Sequence, residues 1–384
     1  MTVRERFRAA LERRATDRLP VTTHHLMSSF LNRVMGGMDN ETFFNRFGID
    51  PIIWVAEHAP DTAHGAYFES SHVPGILEPR RIVSDQWRIT FAAVPDPQYT
   101  TVRYTIHTPT KDLTTVLQSN EHTTWVSERL VKDPADIDVI AAHAPMPQCD
   151  VAAVNVISGA TGERAMIRGT VVCFDLYGQP GCWQDASVLF GIENLILATY
   201  DDPEWVHAFL SVLLARKMSF VESLRGAQFD VLELGGGDAS STVISPRVFD
   251  AFVAPYDSQL IDRAHAVGQK IVYHTCGGMM PFLEKIAGMR PDAMETFTPA
   301  AMGGDIQLGE AKRRIGDRVC MIGGFDQFHY FTKCMPAETR DEVRRCFREA
   351  GSGGGYILCP SDHFFDADVH LLEAFADEAR KCVY

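Results

Sequence analysis

The sequence predicts an α/β protein: a single (β/α)8 TIM-type barrel domain over residues 1–384, with an N-terminal helical lead-in and a β-rich insertion at about 83–130. Three observations carry the prediction. From Ala165 onward, short apolar runs alternate with segments of helical spacing, the signature of a parallel sheet covered by helices. Counted with two early runs, these strands number about eight, which favours a closed barrel over an open sheet. Neither GxGxxG nor GxxxxGK[S/T] opens any of the helices, and Gly235-Gly236-Gly237 has the character of a tight turn instead.

Along the chain, Thr2 to Ala15 sets Val3, Phe7, Ala10 and Leu11 at helical spacing, with Thr2 as the N-cap. Leu19-Pro20-Val21-Thr22-Thr23 reads as a short strand ending in His24-His25. A mainly helical stretch runs from there to Asp50, and Pro51 to Val55 is the next apolar run. Val83 to Thr108 alternates β-branched, aromatic and polar residues, as an antiparallel excursion does. The later strands are Ala165 to Val172, Val231 to Leu234, Lys270 to Tyr273, Ala293 to Glu295, Val319 to Ile322 and Tyr356 to Leu358. Between them lie helices such as Pro203 to Leu224, Pro246 to Val267 and Ala337 to Ala350.

At 46% hydrophobic and 22% charged, 384 residues can bury a large core. The net charge of −14 opposes a nucleic-acid partner, which Lys and Arg clusters would serve. Arg13-Arg14 and Lys312-Arg313-Arg314 sit in helical contexts and read as solvated faces. Met1 to Arg14 lacks the apolar core of a secretory signal, and no run reaches the length of a membrane span, so a cytoplasmic protein without a membrane partner is expected. Nine cysteines, an odd total with no CxxC pair, point to reduced thiols rather than a disulfide framework.

Reactive groups of an α/β barrel stand at the C-terminal ends of its strands. Those ends present His24 and His25, Glu233 with Asp238, His274 with Cys276, Glu295 with Thr296, Asp326, and Cys359 with Asp362 and His363. Few of these residue types fill a core. In His274-Thr275-Cys276 the imidazole and the thiol, two residues apart, point the same way from a strand end, the donor pair that Zn²⁺ takes. A catalytic zinc needs a third protein ligand and an open position; Cys359 and Glu233 are the candidates. The bland alternative is a hydrogen-bonded histidine beside an inert cysteine. His24, Glu295 and Asp326 are candidate cofactor contacts, and Glu233, Asp238 and His363 are candidate proton carriers.

Several blocks carry a resemblance: Thr2 to Arg6 through Asp17 to Val21, Ile192 to Leu195 with Asp202-Pro203-Glu204, Ser245-Pro246, Val272 to Gly277, Gly323 to Asp326 and Gly354 to Leu358. In this order they resemble the uroporphyrinogen decarboxylase superfamily. That resemblance implies an α/β barrel with its active site in a deep mouth. True decarboxylases of that kind carry an Arg-rich segment after the first strand, where guanidinium groups meet substrate carboxylates; Thr22 to Ser29 contains no arginine. The other branch moves methyl groups between a corrinoid protein and a thiol or tetrahydrofolate. Its thiol-specific members resemble this chain in the His-x-Cys element, which with a distant Cys holds zinc. Their late Cys falls nearer Asp362 and His363, so the place of Cys359 stays open.

The reading is a methyltransferase acting on a small-molecule substrate, with zinc on His274, Cys276 and either Cys359 or Glu233, and a corrinoid on a partner protein docked over the mouth. The alternatives are a decarboxylase or lyase on a smaller carboxylated substrate, and a non-catalytic barrel that binds a tetrapyrrole or corrinoid.

Overall fold

The computed structural model describes residues 1–55, 66–69, 80–174 and 179–384, with the side chains of 66–69 and 80–82 left aside. Among the described residues thirteen strands follow one another: β1 (Ile52–Trp54), β2 (Ala66–Glu69), β3 (Arg80–Val83), β4 (Arg88–Val94), β5 (Thr100–His107), β6 (Leu113–Ser119), β7 (Thr124–Glu128), β8 (Met166–Thr170), β9 (Val231–Gly235), β10 (Ile271–His274), β11 (Ala293–Thr296), β12 (Cys320–Gly323) and β13 (Tyr356–Ile357). Seven of them form one parallel sheet in the order β1-β8-β9-β10-β11-β12-β13, with helices in the connections. The runs from Val231, Lys270 and Tyr356 therefore lie in one sheet, as expected. β2 pairs with β3, and β4 to β7 make an antiparallel sheet.

The run Leu19 to Thr23 differs from expectation. It contributes an isolated parallel bridge between Val21 and Leu358 rather than a regular strand. Pro20 has no N–H to donate, and the N–H of Val21 goes to the Asp50 side chain at 3.1 Å, so a ladder cannot extend. Main-chain bonds nevertheless flank the segment on both sides, Thr22 N to Leu358 O at 3.0 Å and Asp50 N to Val21 O at 2.7 Å.

The lead-in helix Val3–Leu11 starts on a capping box: the Thr2 hydroxyl accepts from Glu5 N, and Glu5 accepts from Thr2 N. Its Phe7, Ala10 and Leu11 plug the sheet's interior, packing on Ile52, Met166, Val231, Val272, Ala293, Cys320 and Ile357. Arg4 pairs with the buried carboxylate of Asp230, and Arg6 with that of Asp50, at 2.8 Å each. Pro203–Ser223 forms one helix. The segment from Pro246 is broken by a π-helical turn, Phe249–Val253, ahead of Ala254–Ala266, because Pro255 cannot donate to the preceding turn. No helix among the described residues is long and apolar enough to cross a membrane.

Candidate functional site

Side chains on a strand return to the same face every second residue. Two residues beyond the apolar layer packed on the lead-in helix, that face carries Trp54, Arg168, Glu233, His274, Glu295, Ile322 and Cys359. His24 joins them from the turn after Val21. The sheet thus changes in one step from a hydrocarbon interior to a charged layer.

Buried charges are costly unless paired, and here the pairing is dense. Arg168, 1% exposed, donates Nη1 to Glu295 Oε2 at 2.9 Å, Nη2 to Glu233 Oε2 at 2.7 Å, and Nη2 again to Glu295 Oε1. Its guanidinium carbon stands 4.4 Å from the Trp54 ring centroid, a cation–π contact. Glu295 Oε1 also meets His24 Nε2 at 3.1 Å and His274 Nδ1 at 2.9 Å. Glu233 lies 3.7 Å from His24 Nε2 and 3.9 Å from His274 Nδ1.

Burial opposes a charge on His274, but Glu233, Cys276 and Glu295 outweigh it and hold its pKa well above the usual imidazole range. Burial would raise Glu295, yet Arg168, His24 and His274 pull it well below the ordinary carboxylate range. The outer imidazoles behave oppositely. Burial, then the neighbouring His24, lowers His363 to about 4, and the same causes push His25 well below its usual value. His25 stacks on Trp54 at 3.9 Å between centroids, and His363 stands 5.3 Å from the His24 ring.

Of the sequence candidates, the structure brings together His24, Glu233, His274 and Glu295, whose ligand atoms all lie within 4.8 Å of one another. Cys276 stands near enough to His274 to help raise its pKa, and a Cβ on Gly237 would come 2.6 Å from its Sγ, so glycine there makes room for the thiol. Cys359 lies in the same inward layer, 2% exposed, outside that group of four; burial, reinforced by Glu295, pushes its thiol pKa up. His363 borders the group through its ring. Asp238 accepts from the Ser187 hydroxyl, and its own N–H goes to Gln184 at 2.7 Å, so it is engaged by the helix Cys182–Phe190. Asp326 caps the short helix Gln327–Tyr330, accepting from His329 N at 3.0 Å. The sequence reading missed Arg168 and Trp54. A lone arginine inside the apolar run from Ala165 to Val172 was the available signal, since a charge in a buried strand requires a partner.

Two imidazole nitrogens and two carboxylates suit a first-row divalent ion such as Zn²⁺, and donors of this spread can close on it at roughly 2.0–2.2 Å. The buried Nδ1 of His24 has no hydrogen-bond partner among the described residues. Without a metal, the Glu295–His274 pair is equipped to hold and move a proton.

A family model described as Uroporphyrinogen decarboxylase (URO-D) matches residues 102–381. Uroporphyrinogen decarboxylases of Pseudomonas putida and Alcanivorax borkumensis are 27% and 25% identical to the chain over 244 residues, 60% of its length. The chain spans 63% of the length of those relatives. A solved structure described as a methyltransferase from Methanosarcina mazei shares the fold with a TM-score of 0.63, at 14% identity over 99% of both chains.

Proposed function

Since the chain belongs to the uroporphyrinogen decarboxylase family, we propose that it is a metal-dependent methyltransferase, moving a methyl group between a corrinoid carried by a partner protein and a thiol or tetrahydrofolate acceptor. The observation that carries the reading is the convergence of His24, Glu233, His274 and Glu295 at the C-terminal edge of the parallel sheet, where α/β barrels keep their reactive groups. In this reading the Pro20–Thr22 segment serves as the eighth stave of a closed barrel, supported by its bonds to Leu358 and Asp50.

His24, Glu233, His274 and Glu295 would hold the metal, with the Cys276 thiol as a soft donor beside His274. When bound, a zinc-type ion supplies the Lewis acidity that turns a thiol into a thiolate near neutral pH. Arg168 keeps the two carboxylates together and fixes their free lone pairs toward the imidazoles. His25 and His363, held neutral by burial, border the cluster with polar groups that carry no charge of their own.

The test combines elemental analysis with transfer from methylcobalamin to thiols and to tetrahydrofolate. About one equivalent of metal is expected, with activity lost on chelation and restored by Zn²⁺. Full activity after chelation, in protein free of zinc, refutes the metal part. Cys276→Ser and Cys359→Ser refine the ligand set, since the second loses metal only if Cys359 is a ligand.

Decarboxylation, with Glu233, Asp238 or His363 carrying protons, is the second reading, favoured by the names of the curated relatives. Against a polycarboxylate substrate stand the arginine-free segment Thr22 to Ser29 and the saturation of Arg168 by two glutamates.

A further inference from the structure

The helix Ile192–Asp201 buries Leu195 and Thr199 and turns Leu197 and Tyr200 outward, 61% and 65% exposed and one turn apart. A single exposed apolar side chain needs no explanation. These two, however, are neighbours rimmed by carboxylates: Glu193 one turn before Leu197, Asp201 one turn after it, and Glu204 in the first turn of the helix that follows, all exposed. Between Arg168 and Arg216 the chain has no lysine or arginine, so nothing in this stretch neutralises them. Arg129, whose side chain reaches Gly191 at the start of the helix, gives its Nη1 to the Val188 carbonyl at 3.0 Å. The helix starts near the C-terminal edge of the sheet, because the preceding helix Cys182–Phe190 is fixed to the loop after β9: Trp183 Nε1 donates to the Asp238 carbonyl at 3.1 Å, and the Ser187 hydroxyl to the Asp238 carboxylate.

Charge decides among the occupants such a face could take. A second copy seating the same face would set these carboxylates against their own kind, and a nucleic acid or an anionic membrane meets the same repulsion. An apolar centre inside an acidic rim is complementary to an apolar centre inside a basic rim.

We propose that this face docks a partner protein through a basic amphipathic helix, whose apolar residues cover Leu197 and Tyr200 while its lysines and arginines meet Glu193, Asp201 and Glu204. The proposal is independent of the metal reading above.

The experiment titrates the full-length protein, by calorimetry, with a synthetic amphipathic helix of leucine on one face and lysine on the other, beside a leucine–glutamate peptide of the same pattern. The lysine peptide is expected to bind and the glutamate peptide not to. Leu197→Ser with Tyr200→Ser, and separately Glu193→Gln with Asp201→Asn and Glu204→Gln, should each weaken binding at least about tenfold. Circular dichroism should stay unchanged, since all five side chains are exposed. Three exposed carboxylates elsewhere serve as control: Glu41→Gln with Asp262→Asn and Asp317→Asn should leave binding as it is. A loss of equal size in that control shows attraction to net charge alone and overturns the proposal. So does binding that survives both sets of substitutions on the helix, or no binding at all. Sedimentation that shows a dimer dissolved by Leu197→Ser with Tyr200→Ser overturns it in favour of a second copy.

Discussion

At Glu295 one carboxylate serves three partners, Arg168, His24 and His274. Glu295→Gln keeps the shape but removes the charge that neutralises Arg168, and breaking a buried ion pair from one side costs about 3–5 kcal/mol. A fall of that size in urea-denaturation stability, together with loss of bound metal, is the expected outcome; unchanged stability would contradict the pairing. Cys359→Ser probes a different physics. Its thiol sits in the inward layer among Ile322 and Ile357, and exchanging the buried sulfur for a hydroxyl, which is costlier to remove from water, should cost about 1–3 kcal/mol. The two variants thus separate loss of a charge partner from loss of an apolar fit.

Between elements, a second buried network ties the helix Ala254–Ala266 to β10: Tyr273 donates its hydroxyl to Asp257 at 2.9 Å. Burial lifts the Asp257 pKa to about 6, against the hydrogen bond from Tyr273, which lowers it. Raised above its unfolded value of about 3.9, this carboxyl contributes stability that is fully present below pH 4. As pH rises from about 4 to 6 the unfolded chain releases the proton while the native state retains it, and up to about 3 kcal/mol of that contribution is lost. Asp257→Asn should flatten that part of the stability–pH curve. Parallel curves for the two proteins over this window would show that Asp257 ionises normally. At the chain start, Thr2→Ala removes one half of the capping box and should cost about 1 kcal/mol, measurable as a shift in urea midpoint.

For the whole molecule, the lead-in helix and the sheet form one packed unit, since Phe7, with no exposed surface, packs against residues from the parallel strands. Phe7→Ala opens a cavity beneath the charged layer and should destabilise the protein by about 3–5 kcal/mol. The chemistry of the mouth argues against uroporphyrinogen as substrate. Incubation of the purified protein with uroporphyrinogen is expected to yield no coproporphyrinogen, and turnover at an enzyme-like rate would put decarboxylation ahead of methyl transfer.

The sequence by itself determined the alternation of strands and helices after Ala165, the capped lead-in helix and most of the residues at the strand ends. These follow from local periodicity, capping chemistry and the rarity of His, Glu and Cys as core fillers. It also placed His24, Glu233, His274 and Glu295 among the candidates, although it distributed them between catalytic, cofactor and metal roles. Their convergence was decided by the tertiary structure, because residues from 24 to 295 meet only when the sheet curls and stacks their inward faces into one layer. The fold likewise decided that Cys359, though in the same inward layer, lies outside that group of four. Only the folded layer showed what Arg168 is for: its partners, Glu233 and Glu295, are 65 and 127 residues away in the chain, beyond the reach of any local pattern.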